Sequence, residues 1–367
     1  MVAYLHQVDR GVRVAALDGI RGVAILLVLL GHVVGFTGAG LVGVLVFFVL
    51  SGYLITSVIV RGVNSTGRLD LKRFYVHRAL RLLPVLLLVI AFVFALTRLP
   101  GSGVDLGDTV TGAWQGLAYV TDFSLALTQS FSPQLAHLWS LAVEEHFYLV
   151  WPLVMGLLLR RSQLQRRRAL VMLISAAMLM RLATVVIGRS LGWFFYAMPT
   201  VWFECLLAGG ALALLEGQMR PLRGGRPGAT LIGTLAAAVL LGAALHPSTY
   251  LSTLTYLLGI PVLALATVGI IWAARQAEAR AVRRVLEWAP LRWLGDRSYA
   301  LYLFNSPCIL VSTSLLGHNA GARLAGGTVA VVISMLTLRF VERPALGLKA
   351  RFDRSRATPS SADVLTA

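Results

Sequence analysis

The chain alternates long apolar runs with short polar breaks, and the runs have the length of a bilayer crossing rather than of a soluble amphipathic helix. They fall near 17–35, 41–60, 83–99, 138–159, 169–187, 199–215, 229–245, 251–274, 298–316 and 324–341, which predicts about ten transmembrane helices. Gly112–Leu127 is apolar enough to tempt a further span. Its Gly and Trp content and its interruption by Asp122 instead predict that 100–137 is an external or re-entrant segment lying against protein. The expected fold is an all-α integral membrane protein with no separate soluble domain: a transmembrane domain over 1–349, then a polar, disordered cytoplasmic tail over 350–367. No cleavable signal peptide is expected, because the first run is of full length, carries Asp18 and Arg21, and has no small-residue cleavage site behind it.

Composition supports the same class, with 57% hydrophobic and 13% charged residues, too apolar for a soluble globule. The net charge of +17 would point to nucleic acid in a soluble protein, but here the basic residues cluster between apolar runs. With the Arg10/Arg13 end in the cytoplasm, the inside segments hold Arg61–Arg81, Arg160–Arg168, Arg220–Arg226, Arg275–Arg297 and Arg339–Arg356, and the outside segments carry almost none. That is the positive-inside pattern of a multi-pass plasma-membrane protein with both termini cytoplasmic and membrane lipids, not nucleic acid, as its surroundings. A span within 100–137 would throw Arg160–Arg168 to the outside. Cys205 and Cys308 both lie in apolar runs and read as small core residues.

Chemistry concentrates at a few places. Arg21 and His32 lie eleven residues apart in the first run. Eleven residues at about 100° each make roughly three turns, so both leave one helix face, about 16 Å apart along the axis. Ionisable residues within a membrane helix are costly and imply catalysis, a ligand or a proton path. In the second run, Ser51 and Gly52 form a small notch that suits helix packing or a hydroxyl function. Arg73, Arg78 and Arg81 precede Pro84 on the cytoplasmic side, where arginine forks match either lipid headgroups or a phosphorylated cofactor. Glu144 and Glu145 are consecutive at the entrance of the fourth run, so they point about 100° apart and at most one shares a pocket with His32. Leu294–Pro307 opens the ninth run and Arg339–Pro344 closes the tenth.

Taken in order, these residues resemble the acyltransferase 3 family of integral membrane O-acyltransferases, from about Leu17 to Pro344. The resemblance rests on Arg21 and His32; on Phe47, Phe48, Ser51, Gly52 and Leu54; on Arg73, Arg78, Arg81 and Pro84; and on Trp139, Ser140, Leu141, Glu144, Phe147 and Tyr148. It implies transfer of an acetyl or other short acyl group from cytoplasmic acyl-CoA, a co-substrate, to a hydroxyl of a sugar-containing acceptor: a glycan, a glycolipid or a glycosylated natural product such as a macrolide. No bound cofactor or metal is expected. His32 would be the general base, oriented by Glu144 or by Asp18, although Asp18 also stands three residues from Arg21 and would pair with it there. Arg21, with Arg73, Arg78, Arg81 and Ser51, would serve the donor. Direct transfer is expected, with Ser51 as the alternative acyl-enzyme nucleophile. Two positions depart from the family pattern: Phe304 and Asn305 stand where Trp and His are common, and His146 where Gln is common. Since the sequence ends soon after its tenth run, no extracytoplasmic hydrolase-like domain of the kind some relatives carry is expected, and a tailoring or glycolipid acceptor is the expectation that follows. The competing expectation is a transporter of a sugar-containing or acylated molecule, with Arg21 and His32 as its relay.

Overall fold

A computed structural model describes residues 15–192, 194–216, 226–246, 249 and 252–348. The Arg10/Arg13 end, Arg220, Arg223 and the expected tail over 350–367 lie outside the described residues. Among the described residues there is no strand, and ten helices are long and apolar enough to cross a membrane. In chain order the helices are α1 (Ala15–Val33), α2 (Thr37–Thr66), α3 (Leu71–Leu96), α4 (Leu106–Leu117), α5 (Trp139–Leu158), α6 (Gln163–Ser190), α7 (Pro199–Leu215), α8 (Arg226–Leu245), α9 (Ile260–Arg275), α10 (Arg280–Leu286), α11 (Ala289–Leu316) and α12 (Ala320–Thr337). The short α4 and α10 are not spans.

The helices match the predicted runs, with several extended at an end. α3 starts at Leu71 rather than near 83, so the Arg73–Arg81 box belongs to the spanning helix, capped by Asp70, whose side chain accepts from the Arg73 amide. α2 runs on to Thr66 and α11 starts at Ala289. Polar residues at these ends hide the helix from a hydropathy reading, while local helix propensity carries it beyond the apolar core.

The segment 100–137 packs against the helices around it. Its start meets the end of α11, where a Cβ on Gly103 would lie 2.8 Å from Ser314 Oγ, and Leu138 opens α5 beside Gly116. Between them α4 packs on the returning strand of chain, with Gln115 Nε2 donating to Ser130 O at 2.9 Å. The chain reverses at Tyr119, a non-glycine residue at φ +55°. It is pinned where fully buried Asp122 reaches His146 at 3.1 Å. The segment lies against protein and holds no helix long enough to span, as the sequence predicts for an external or re-entrant stretch.

Close glycine contacts set the core. α1 is held between α2 and α11. Added Cβ atoms on Gly22 and Gly295 would meet α11 and α1 backbone at 1.9 Å, and one on Gly43 would lie 2.6 Å from Ala24 O. α2 meets α7 the same way: Cβ atoms on Gly52 and Gly209 would strike Leu206 O and Val49 O at 1.9 and 1.8 Å. Small residues thus let backbones touch where no hydrophobic force drives helices together. Across α6 and α7, Arg181 and Glu204 form a 2.9 Å ion pair at 1% and 3% exposure. Arg181 also donates to the carbonyls of Tyr256 and Leu257, in the wide helical turn Thr255–Gly259 before α9. Cys205 and Cys308 are free and buried.

Candidate active site

A cavity of about 170 Å³ opens between α1, α2, α3, α5 and α11. Arg21, Arg78 and Arg81 line it together with Ser51, Ser140, Glu144, Tyr148 and Tyr302, over apolar walls that include Phe47, Leu54 and Leu303. Arginines and hydroxyls against an apolar wall suit a ligand with an anionic end and a slender, mostly neutral arm. Arg81 and Arg21 also face the Glu342 carboxylate, in the turn that follows α12.

The paired glutamates part as helix geometry requires. Glu144 turns into the cavity, where Ser51 Oγ donates to its Oε1 at 2.6 Å. Glu145 turns to α3 and takes Arg78 through a two-pronged ion pair, Arg78 Nε lying 2.8 and 3.0 Å from its two oxygens. The Arg78 guanidinium also stacks 3.4 Å from the centre of the Tyr148 ring. In the segment 100–137, burial and the Glu145 carboxylate push the Tyr119 phenol up to about 12, so it remains a neutral donor beside this pair.

His32 is not among the residues that line the cavity. It lies near the end of α1 and is exposed, and its Nδ1 meets Asn305 Oδ1 of α11 at 2.5 Å. Asn305 is fully buried, and its Nδ2 donates to Tyr302 O at 2.5 Å and to Leu301 O at 3.3 Å. One turn back, Tyr302 Oη reaches Ser140 Oγ at 2.5 Å and His137 O at 3.1 Å, so α11 joins the cavity to His32. Pro307 within α11 has no N–H for the Leu303 carbonyl, and that carbonyl faces the buried ring of His137. Arg323 of α12 donates from Nε to Val33 O at 2.9 Å, tying α12 to α1 beside His32.

Several expectations change on this geometry. Arg21, Arg78, Arg81, Ser51 and Glu144 are gathered at one cavity, but Arg73 stands on the exposed first turn of α3, outside its lining. Arg78 is committed to Glu145, a partner on another helix that spacing does not reveal. The contact expected from Glu144 to His32 is replaced by Asn305, because Glu144 faces Ser51 instead. Asp18 is buried near the start of α1, where its backbone packs on Gly295, at the far end of the helix from His32. Asn305, His137 and Arg323 were not among the expected site residues. Asn305 carried a signal, since a polar residue inside an apolar run needs a partner, whereas Arg323 and His137 look like ordinary boundary residues.

The chain is 32% identical over 361 residues to YrhL of Bacillus subtilis (strain 168), provisionally named a peptidoglycan O-acetyltransferase, covering 92% of this chain and 56% of that one. It is 30% identical over 355 residues to the peptidoglycan O-acetyltransferase OatA of Listeria monocytogenes, covering 90% and 55%. With the O-acetyltransferase OatA of Staphylococcus aureus (strain NCTC 8325) it shares 29% over 328 residues, covering 81% and 51%. The chain thus spans about half the length of the curated relatives it matches. No solved structure matches it. The family model described as "Acyltransferase domain" matches residues 14–339, all ten spanning helices but for the end of the last, and the chain therefore belongs to the acyltransferase 3 family.

Proposed function

We propose that this multi-pass plasma-membrane protein is an O-acyltransferase that moves an acetyl or other short acyl group from acyl-CoA to a hydroxyl of a glycan. The observation that carries the proposal is the arrangement of the cavity: Arg21 and Arg81 stand where a cytoplasmic donor would enter, and hydroxyl groups lead from there toward the helix turn that holds Asn305 and His32. The relatives whose names include peptidoglycan make a cell-envelope glycan the first acceptor to test.

A hydroxyl is a poor nucleophile at neutral pH, so the reaction needs a base within hydrogen-bond reach. In the proposed step His32 takes the acceptor's hydroxyl proton as the oxygen attacks the thioester carbonyl. The C–O bond forms, the C–S bond breaks, and the proton passes to the departing thiolate. Tyr302 and Ser140, already hydrogen-bonded to each other, are the nearest cavity hydroxyls to this level of α11, and the hydrogen now given to the His137 carbonyl would turn to the developing oxyanion. Arg21 and Arg81 bind the donor's phosphates from the basic face.

The test is thiol release from acetyl-CoA by detergent-purified protein, with peptidoglycan fragments, simple sugars and a macrolide as acceptors. Acceptor-dependent release that disappears in His32→Ala supports the reading. Equal activity of His32→Ala would remove the base assignment, and neither release nor acetyl-CoA binding by a folded sample would overturn acyl transfer and return the transporter reading.

A further inference from the structure

We infer that Asn305 is a positioning residue that fixes the tautomer of His32, so that Nδ1 carries the proton and Nε2 presents its lone pair. The inference deepens the proposed base role of His32 and rests on it only where activity is read.

The argument is one of hydrogen-bond accounting. A carboxamide has two donors on its nitrogen and acceptors only on its oxygen. The Asn305 nitrogen faces two carbonyl oxygens of its own helix, Tyr302 O at 2.5 Å and Leu301 O at 3.3 Å. Carbonyls accept and cannot donate, so the amide can take only one orientation; flipping it would set its oxygen against two others in a fully buried position. The oxygen must therefore be the atom that faces His32 Nδ1 at 2.5 Å. An oxygen there requires a donor, which puts the proton of the neutral imidazole on Nδ1. Nε2 is then left as the basic atom, with no hydrogen bond to another described residue. A partner that holds the far nitrogen of a histidine sets which nitrogen does chemistry.

A carboxylate at 305 would turn both oxygens toward backbone carbonyls or the imidazole, with no donor for Leu301 or Tyr302. The amide serves both sides, donating into its own helix and accepting from α1. The partner supplied is neutral, so it orients His32 without placing a second charge between α1 and α11.

The experiment is nitrogen NMR of 15N-histidine-labelled full-length protein in micelles, with His32 assigned by its loss in His32→Gln. The neutral wild-type ring is expected as the Nδ1–H tautomer, and Asn305→Leu, near-isosteric but without the acceptor, should shift it to the Nε2–H form. Acceptor-dependent thiol release should fall about tenfold to a hundredfold in kcat in Asn305→Leu, with the acetyl-CoA KM within about twofold. A wild-type ring protonated on Nε2, or an unchanged tautomer in Asn305→Leu, would overturn the inference, and the wild-type spectrum decides even if the variant does not fold. The tautomer is read without substrate: an Nδ1–H ring in a protein that never releases thiol supports the Asn305 assignment while counting against acyl transfer.

Discussion

Ser51 Oγ and Glu144 Oε1 lie 2.6 Å apart, joining the second and fourth spans inside the cavity. A hydroxyl held by a carboxylate is also how an acyl-enzyme nucleophile would be presented, so this pair separates direct from covalent transfer. Direct transfer predicts that Ser51→Ala keeps acceptor-dependent thiol release within about tenfold of wild type, a change of about 1.4 kcal/mol in barrier. Mass spectrometry of protein incubated with acetyl-CoA alone should find no acetyl group on Ser51. Its detection would replace the direct route.

Glu144→Gln keeps an acceptor for Ser51 but removes any charge. The melting temperature should therefore change little, whereas Glu144→Ala leaves Ser51 without its partner and should cost about 1 kcal/mol. Thermal unfolding of the two variants side by side reads the difference.

The arginines that resemble one another in sequence should separate in kinetics. Arg21→Ala and Arg81→Ala are each expected to raise the KM for acetyl-CoA about tenfold, as loss of a charge-assisted contact would, while Arg73→Ala, outside the cavity, should change it less than twofold. Initial rates over a range of acetyl-CoA settle the order.

Arg78→Ala is expected to act on folding more than on donor affinity, because it strands Glu145 at 16% exposure. Breaking such a pair costs about 3 kcal/mol. Arg78→Lys should recover little of it, since an ammonium cannot reproduce the two-pronged contact or the stacking on Tyr148. Thermal melts of both single variants and of the Arg78/Glu145 double variant give the coupling.

Glu204→Gln should destabilise the bundle by about 3 kcal/mol or more, because Arg181 would be left charged and buried. This loss is expected with no selective change in KM, as the pair lies outside the cavity lining.

The spans were legible because bilayer length and charge clustering are properties of a single stretch of sequence. That 100–137 does not span was legible for the same reason, through where Arg160–Arg168 must lie. The site was legible only as far as one helix at a time allows. Glu144 and Glu145 were correctly expected to diverge, since their angle is fixed by α5, but what each would meet depends on α2 and α3. Asn305 illustrates the limit best: 273 positions separate it from His32, and no local pattern ties α11 to α1. Arg181 was hidden likewise, because its partners come from two other segments.

The glycine contacts on both flanks of α1 make this helix a fixed ruler. Gly22 and Gly295 leave no room for it to slide along α11, and Gly43 blocks the same motion along α2. Arg21 and His32 are therefore graduations on one rigid scale, about 16 Å apart by helix rise. If the proposed donor is gripped at the lower mark and reacts at the upper one, its arm must span that distance, so on that reading length selects the donor before any chemistry begins.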